Sequence, residues 1–454
     1  RFGSQKDCCL HLGMVSVSCR VAAICCVLVP IIAMLVQYYR RRQFQKWLDS
    51  PASPDRDVDF DLQWNMNDDI RLGQIDRVMF PNNLPHPPAN HTFVHMKHVN
   101  SVRSDSGLEL AAGNACTLQM CTASQRFFLE FPNGPSTHVG VIIGTLARDP
   151  SGQHHWSGIS EVQVDCHENG LVPSRGAFDP RLDVVNGSFF AVGWMSYERG
   201  WVWTTLPVFI PLAAQLGEKK DGFCWIDLEG RHFRDLHEGT PPFQQSEINE
   251  KNWVPLVPKG SDLIFLVYSL IPFQVLHFSP STCKARTLRP PLQKPTTRVR
   301  GSSRYVHGMD VPGGSLFLSL AHLDPRGGYH NMLVAVFVSA AGGDNPEVDL
   351  LDMSCPIDLR TQMHAEWYVY VSNIGHFDVG TGVASIFAEI DDTTSVAFDL
   401  HGAGKWLQAA YTDWQARGRA SFAEQLWLQR CLGNVSSEVT ATFVAPNTSF
   451  SRGE

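Results

Sequence analysis

The sequence lacks the short motifs that mark several large enzyme classes. It contains no GxSxG elbow, no P-loop, no HExxH pair and no dinucleotide-binding glycine fingerprint. It also lacks a basic excess: the formal net charge is −8, which argues against a nucleic-acid partner because such binding depends on neutralising phosphates. Outside the N-terminal tail there is no CxxC pair and no His/Cys spacing typical of zinc. The sequence therefore predicts neither a metal nor a cofactor.

What the sequence does contain favours a large β-protein. The 454 residues exceed one ordinary core unless the fold is a closed β-architecture, and the 36 glycines and 28 prolines suit short strands joined by tight turns. Apolar, β-branched runs bounded by turn residues predict strands at 137–146, 189–196, 262–270, 274–279, 315–323, 331–340, 366–374, 384–390 and 394–400. Their grouping into units of roughly 50–70 residues is typical of propeller blades.

One long apolar run stands out near the N-terminus. Residues 21–39 carry no charge and are bounded by Arg20 and Arg40. About 20 apolar residues cross a bilayer, whereas the apolar region of a cleaved signal peptide is usually shorter. The sequence therefore predicts an uncleaved signal-anchor, through which one N-terminal helix contacts the membrane.

The orientation of this anchor rests on two signals that disagree. Positive charges slightly favour a cytosolic C-terminal side. N-glycosylation sequons favour a lumenal one, and the chain has four of them, at Asn90, Asn186, Asn434 and Asn447. We expect a single-pass type II membrane glycoprotein of the Golgi apparatus or endoplasmic reticulum, with a lumenal catalytic domain.

The cysteines are compatible with that compartment. Seven of the twelve lie beyond the tail and anchor, and an odd number leaves at least one thiol free or paired between chains. Cys116 and Cys121 are close enough in sequence for a local disulfide. The others give no pairing from sequence alone.

These patterns predict five parts of the chain: a tail (1–20), a transmembrane anchor (21–39), a stem (40–89), a β-propeller (90–402) and C-terminal helices with a tail (403–454). The last part is predicted helical because its apolar residues recur at helical spacing. The residues that carry this spacing are Trp406, Ala410 and Trp414. Gly418 is expected to split the segment into two helices.

Three segments carry a resemblance to a known group of enzymes. The first is FDPRL at 178–182, and the second is EKNWVPL at 250–256 followed by LVYSLIPF at 266–273. The third begins with RGSS at 300–303 and continues to His322, Tyr329 and His330. Together they resemble five-bladed β-propeller carbohydrate enzymes, in particular the inverting β-mannoside phosphorylases and related mannosyltransferase-phosphorylases. This resemblance implies an all-β, five-bladed propeller. The chain departs from the pattern at Phe178, where an acidic residue is commoner, and at Leu256, where Phe is commoner.

The resemblance also implies roles for particular residues. Asp179 is the candidate acid/base, and Glu250 competes with it as the catalytic carboxylate. The candidate substrate-binding residues combine cations with amide and aromatic groups: Arg181, Lys251, Asn252, Trp253, Tyr268, Arg304 and His307. Structural alternatives stay open at this point, since Asp179 and Arg181 could form a local turn pair and Trp253 could pack in the core.

Three functions are compatible with these residues. We expect a membrane-anchored glycosyltransferase or glycoside phosphorylase that transfers a hexosyl group, mannosyl in particular, with inversion. Its partners would be a sugar-phosphate or nucleotide-sugar donor and a glycan acceptor. The alternatives are a glycoside hydrolase that uses Asp179 with Glu250 or Asp310, and a non-catalytic carbohydrate-binding propeller, which Phe178 favours.

Overall fold

The chain divides into two compact units, Arg1–Phe60 and Asp61–Glu454. A computed structural model describes parts of the second unit: 70–79, 93–103, 109–117, 141–148, 150, 154–162, 172–173, 178–199, 202–212, 224–228, 252–289, 299–323, 329–340, 346–365, 368–391, 394–418 and 423–431. The predicted tail (1–20) and anchor (21–39) lie outside these residues. Within them, no helix is both long and apolar enough to cross a membrane.

The described residues are mostly β-strand. The strands are β1 (Arg71–Met79), β2 (Phe93–Arg103), β3 (Glu109–Thr117), β4 (Val141–Arg148), β5 (His154–Val162), β6 (Val172–Pro173), β7 (Phe178–Val185), β8 (Ser188–Arg199), β9 (Val202–Pro211), β10 (Cys224–Trp225), β11 (Asp227–Leu228), β12 (Val254–Leu256), β13 (Ile264–Leu270), β14 (Phe273–Ser279), β15 (Lys284–Thr287), β16 (Val299–Gly301), β17 (Val306–Val311), β18 (Gly314–Leu323), β19 (His330–Ser339), β20 (Val348–Met353), β21 (Val369–Asp378), β22 (Val383–Ile390) and β23 (Thr394–His401). The helices are α1 (Leu359–Gln362), α2 (Ala403–Ala416) and α3 (Ala423–Cys431).

The described strands form four sheets, most of whose neighbours are antiparallel. The largest runs β2-β3-β4-β5-β1-β23-β22-β21. The other three contain five strands each: β10-β9-β8-β6 with β7 beside β8, β11-β15-β14-β13-β12, and β16-β18-β19-β20 with β17 beside β18. In the largest sheet, Val78 and Met79 of β1 pair in parallel with His154 and His155 of β5, while the rest of β1 pairs antiparallel with β23. Strand β1 therefore joins two antiparallel groups, and its residues fall within the segment predicted as the stem.

Tight turns set the register of the hairpins. Asn186 and Gly187 connect β7 to β8 with φ angles of 48° and 74°, and Val185 pairs with Ser188 directly across the turn. An Asn-Gly pair with both φ values positive is the preferred two-residue hairpin connection, because its twist matches that of the strands. This turn sets the register from the Val185–Ser188 pair back to the Arg181–Val192 pair.

Each of the three smaller sheets, and each of the two antiparallel groups in the largest sheet, has one edge strand that lies near the edge strands of the others around a shared centre. These inner strands are β2, β7, β12, β16 with β17, and β21. Contacts run from β2 to β7, from β7 to β12, from the β12–β13 hairpin to β16, from β17 to β21 and from β21 back to β2. The arrangement is propeller-like. The close approach requires a missing side chain at Gly301, where a Cβ would lie 2.3 Å from Val254 Cγ2.

Apolar packing lies between the sheets, and α2 covers one end of it. Trp406, Leu407, Ala410 and Trp414 form the buried stripe of α2 and join the cluster built by β18, β19 and β21–β23. The predicted helical spacing is confirmed. The positive φ of Gly418, 73°, follows the end of α2, where glycine is the preferred residue.

Two disulfides tie distant parts of the chain together. Cys224 is bonded to Cys283, and Cys355 is bonded to Cys431 at the end of α3. The first links β10 to the turn before β15. The second holds α3 against the segment that follows β20. The side chains of Cys116 and Cys121 lie outside the described residues.

Candidate active site at the centre of the inner strands

Asp179 stands at the start of β7 in an unusual backbone conformation. Its φ is 48°, and the pairing of β7 with β8 shifts register between Phe178 and Arg181. Such a bulge re-aims a side chain, and a non-glycine residue in the left-handed region costs free energy that the surroundings must supply. The carboxylate is partly buried, and its Oδ2 accepts a hydrogen bond of 2.7 Å from Trp194 Nε1. The carboxylate is thus held in one orientation.

Arg181 points into the centre and is 2% exposed. Its Nε donates to the carbonyl of Ser302 at 2.9 Å, and its Nη1 donates to the carbonyl of Asp179 at 3.3 Å. Its Nη2 donates to Asn252 Oδ1 at 3.1 Å and to the Tyr370 hydroxyl at 3.2 Å. These acceptors come from four inner strands or the residues beside them, and none is a carboxylate. Arg181 therefore fastens the inner strands together around the backbone of Asp179.

A second layer lies two residues further along β7. Asp183 is buried, and its Oδ1 accepts a hydrogen bond of 2.9 Å from Arg304 Nη1. Burial raises the pKa of the Asp183 carboxyl from 3.8 to about 6, although the Arg304 charge opposes that rise. Arg304 also donates to the carbonyls of Ile374 and Gly375 at 3.1 and 2.8 Å. The guanidinium of Arg304 is therefore engaged by the protein, across the centre from β7.

The residues around the EKNW segment separate into two groups. Asn252 has a φ of 67° and accepts from Arg181, so the structure brings it to the Asp179 cluster. Trp253 and Tyr268 lie in the apolar core, with ring centroids 5.5 Å apart and an edge-to-face geometry. Glu250 and Lys251 lie outside the described residues.

His307 has a different environment. Its Nε2 lies 2.8 Å from Oδ1 of Asp310, whose side chain is 70% exposed, and its ring meets Phe317 edge to face. The His307 ring and the Ser315 hydroxyl hold the pKa of the Asp310 carboxyl below its usual value. The structure does not bring His307 or Asp310 to the contacts that surround Asp179.

Two residues of this site, Trp194 and Tyr370, are not among those predicted from the sequence. Trp194 had a partial signal: counting back along both strands from the Val185–Ser188 pair places it opposite Asp179, one position from Phe178, with which the bulge pairs it. Tyr370 had none, since it lies 189 positions from Arg181. Burial raises the pKa of the Tyr370 hydroxyl, an effect that the Arg181 charge opposes and the Asp179 charge reinforces. The pKa of Tyr370 therefore depends on the charges of both the Asp179 carboxylate and the Arg181 guanidinium.

Among the residues that the structure describes, the centre offers the oriented carboxylate of Asp179, surrounded by polar groups. A carboxyl group with a fixed direction can donate a proton to a sugar oxygen when protonated, or accept one when ionised, the step that inverting glycosyl transfer requires of its acid or base. The two central arginines are both engaged by protein acceptors.

Comparison with known proteins gives only remote similarities. No protein-family model matches the chain, and no curated protein matches it. Among solved structures, a β-1,2-mannobiose phosphorylase from Listeria innocua is 10% identical over 72% of this chain and 94% of its own, with a TM-score of 0.39. A glycosyl hydrolase from Bacteroides ovatus has the same identity and coverage and a TM-score of 0.41. A Trypanosoma rangeli sialidase mutant with trans-sialidase activity is 12% identical over 77% of this chain and 62% of its own, with a TM-score of 0.36.

Proposed function

We propose that the chain is a carbohydrate-active enzyme that transfers a hexosyl group, mannosyl in particular, with inversion from an activated donor to a glycan acceptor. The observation that carries this proposal is the Asp179 carboxylate, held by the Trp194 indole where the first residues of several inner strands meet. The order of the DPR, EKNW and YSxxPF segments along the chain supports the choice of sugar chemistry.

We infer that the fold is a five-bladed propeller. Division of the largest sheet at the β1–β5 pairing yields two groups, which with the three other sheets make five. The ring of contacts among the inner strands supports the same number. In this architecture β1 is the outermost strand of the last blade.

Asp179 would act as the general acid or base of the reaction. In transfer it would act as base, taking the proton of the acceptor hydroxyl while that oxygen attacks the anomeric carbon on the face opposite the phosphate, which leaves as an anion. In the reverse direction it would act as acid, returning that proton to the departing glycan oxygen while phosphate attacks. Arg181 would keep the Asp179 backbone in place through the carbonyl that it binds. Lys251 remains the proposed contact for an anionic donor, because Arg181 and Arg304 are held by protein acceptors.

We also propose a lumenal location behind an N-terminal anchor. Residues 21–39 support an anchor by their length and lack of charge. The two disulfides support an oxidising compartment, since such bonds are rare in the cytosol. The exposure of Asn186 in the β7–β8 turn is compatible with glycosylation there.

The test uses the full chain purified in detergent. It is incubated with a panel of hexose 1-phosphates and nucleotide hexoses together with oligosaccharide acceptors, and products are read by mass. We expect elongated acceptor from at least one donor, and a loss of about 100-fold or more in Asp179→Asn. Asp413→Asn, an exposed carboxylate on α2, serves as the matched control. No product from any donor with any acceptor would overturn the proposal.

A hydrolase is the second candidate, and one observation favours it. Both central arginines are engaged by the protein, whereas hydrolysis needs no anion at the centre because water is the nucleophile. It would require a second carboxylate, for which Glu250 is the candidate; Asp310 faces solvent beside His307. Release of free hexose from oligosaccharides without any donor, dependent on Asp179, would replace the transferase proposal by this one.

A further inference from the structure

Four aromatic rings cluster beside the Asp179 site. The His322 ring lies 4.9 Å from Tyr329 and 5.3 Å from Tyr370, measured between centroids. Tyr329 also lies 5.0 Å from Tyr368 and 5.2 Å from Tyr370. All four contacts are edge to face, the geometry that aromatic pairs prefer. The rings thus form one continuous group between β18, β19 and β21.

The buried half of this group is fixed by hydrogen bonds. His322 is 3% exposed, and its Nδ1 lies 2.7 Å from the Ser302 hydroxyl. Tyr370 is 6% exposed, and its hydroxyl accepts from Arg181. Because these rings are already ordered, they lose little conformational entropy when a ligand binds.

The outer half is partly exposed. Tyr329 and Tyr368 are both only partly buried. The backbone N–H of Tyr368 donates to Asp391 Oδ1 at 2.8 Å, and the N–H of Asp391 donates back to the Tyr368 carbonyl at 3.1 Å. This reciprocal pair fixes the chain at the point where Tyr368 leaves the sheet.

We propose that Tyr329 and Tyr368 form the accessible face of a subsite for a neutral pyranose ring adjoining Asp179, on the base of Tyr370 and His322. A pyranose has one face of C–H groups and a rim of hydroxyls. Tyrosine matches both, with an apolar ring and a polar tip. Adjacency comes from Tyr370, whose hydroxyl touches the same guanidinium that binds the Asp179 carbonyl.

The subsite deepens the proposed function by naming a binding surface for the acceptor or for the hexose being transferred. It does not depend on catalysis, and so it is tested by binding. Saturation-transfer NMR is run with the full chain in detergent and four neutral disaccharides: mannobiose, cellobiose, lactose and N,N′-diacetylchitobiose. The variants are Tyr329→Ala, Tyr368→Ala and their Phe counterparts. Tyr411→Phe, in α2, is the matched control, and thermal denaturation checks that each variant is folded.

We expect at least one disaccharide to bind the wild type and Asp179→Asn alike. Each Ala variant should raise its dissociation constant about 10-fold, as expected for the loss of an aromatic contact worth roughly 1.4 kcal/mol. The Phe variants keep the rings and should retain most of the binding. Binding that is absent from the wild type, or unchanged in both Ala variants, would overturn the subsite.

The two proposals fail separately. Asp179-dependent product with an unchanged acceptor KM in both Ala variants would sink the subsite and leave the enzyme. Disaccharide binding that requires Tyr329 and Tyr368, with no product from any donor, would sink the enzyme and leave a carbohydrate-binding protein.

Discussion

Two arginines occupy the centre of the inner strands, and they are held in different ways. Arg181 donates to backbone carbonyls, an amide and a phenol, all of them neutral. Arg304, in the next layer, combines two carbonyls with the carboxylate of Asp183. The first layer therefore keeps a buried positive charge beside Asp179, while the second largely neutralises its own.

The two arginines therefore have different roles, one beside Asp179 and one in binding the strands together. A carboxylate bound to Arg181 would compete electrostatically with Asp179, and neutral acceptors avoid that competition while still satisfying the guanidinium. The described hydrogen bonds of the Arg304 guanidinium do not involve Asp179, so the Arg304–Asp183 pair can serve to hold β7 against β21. We therefore expect changes in the two layers to affect different properties.

The largest effect is expected from the second layer, which contains Arg304 and Asp183. Arg304→Met leaves the Asp183 carboxylate buried without its cation and should lower the free energy of unfolding by roughly 3–5 kcal/mol. Urea denaturation at pH 7 measures it. Arg289→Met is the matched control, because the Arg289 side chain is 60% exposed and its partner Asp349 is 17% exposed, so the pair is reached by solvent; its loss should cost about 1 kcal/mol or less. Equal losses in the two variants would contradict the comparison.

The next effect is the pH dependence of stability that Asp183, in the second layer, should produce. Because burial raises the pKa of Asp183 to about 6, the folded state binds an extra proton between about pH 4 and pH 6. Its contribution to stability is therefore full at pH 4 and declines as the pH rises to 6, by roughly 3 kcal/mol at most. Asp183→Asn removes this titration.

Unfolding free energies of wild type and Asp183→Asn are compared at pH 4, 5, 6 and 7. The wild type should lose stability relative to the variant across the window from pH 4 to 6 and run parallel to it above. Parallel curves throughout would mean that Asp183 has an ordinary pKa in the folded protein.

The smallest effect on stability, together with a larger effect on activity, is expected from the first layer, which contains Asp179 and Arg181. Arg181→Lys keeps the charge but loses the fork that reaches several acceptors at once, and should cost about 1–3 kcal/mol of stability for the acceptors left unpaired. Activity of the folded protein, assayed as for Asp179→Asn, should fall about 10-fold or more because Asp179 loses its support. A rate that falls no further than the folded fraction would reduce Arg181 to a structural residue.

Local pattern was sufficient for many strands. The predicted strands 384–390 and 394–400 match β22 and β23 to within one residue, and 315–323 matches β18 equally well. Each is an apolar run bounded by turn residues, so local preference and tertiary fold agree. Strand β1 reads RLGQIDRVM, with little apolar periodicity, and its pairing with β23 and β5 explains why it is a strand.

The site was predicted in composition but not in arrangement. The grouping of Asp179, Arg181 and Asn252 follows from their segments. The partners of Arg181 do not, because Ser302 lies 121 positions away and Tyr370 lies 189 away. The same holds for Arg304, whose partner Asp183 is 121 positions distant. Contacts of such separation come from the closure of the ring, which no local pattern encodes.

The pairing of β1 with β23 has a consequence for how the protein is made. The two strands are separated by more than 300 residues, so the sheet that contains them cannot be completed until the ribosome has passed His401. Until β23 has been made, the edge of β1 that pairs with it stays unpaired. Long-range pairing of this kind slows folding and leaves edges open to other chains. During synthesis, this edge of β1 is therefore open to pairing with other chains until β23 covers it.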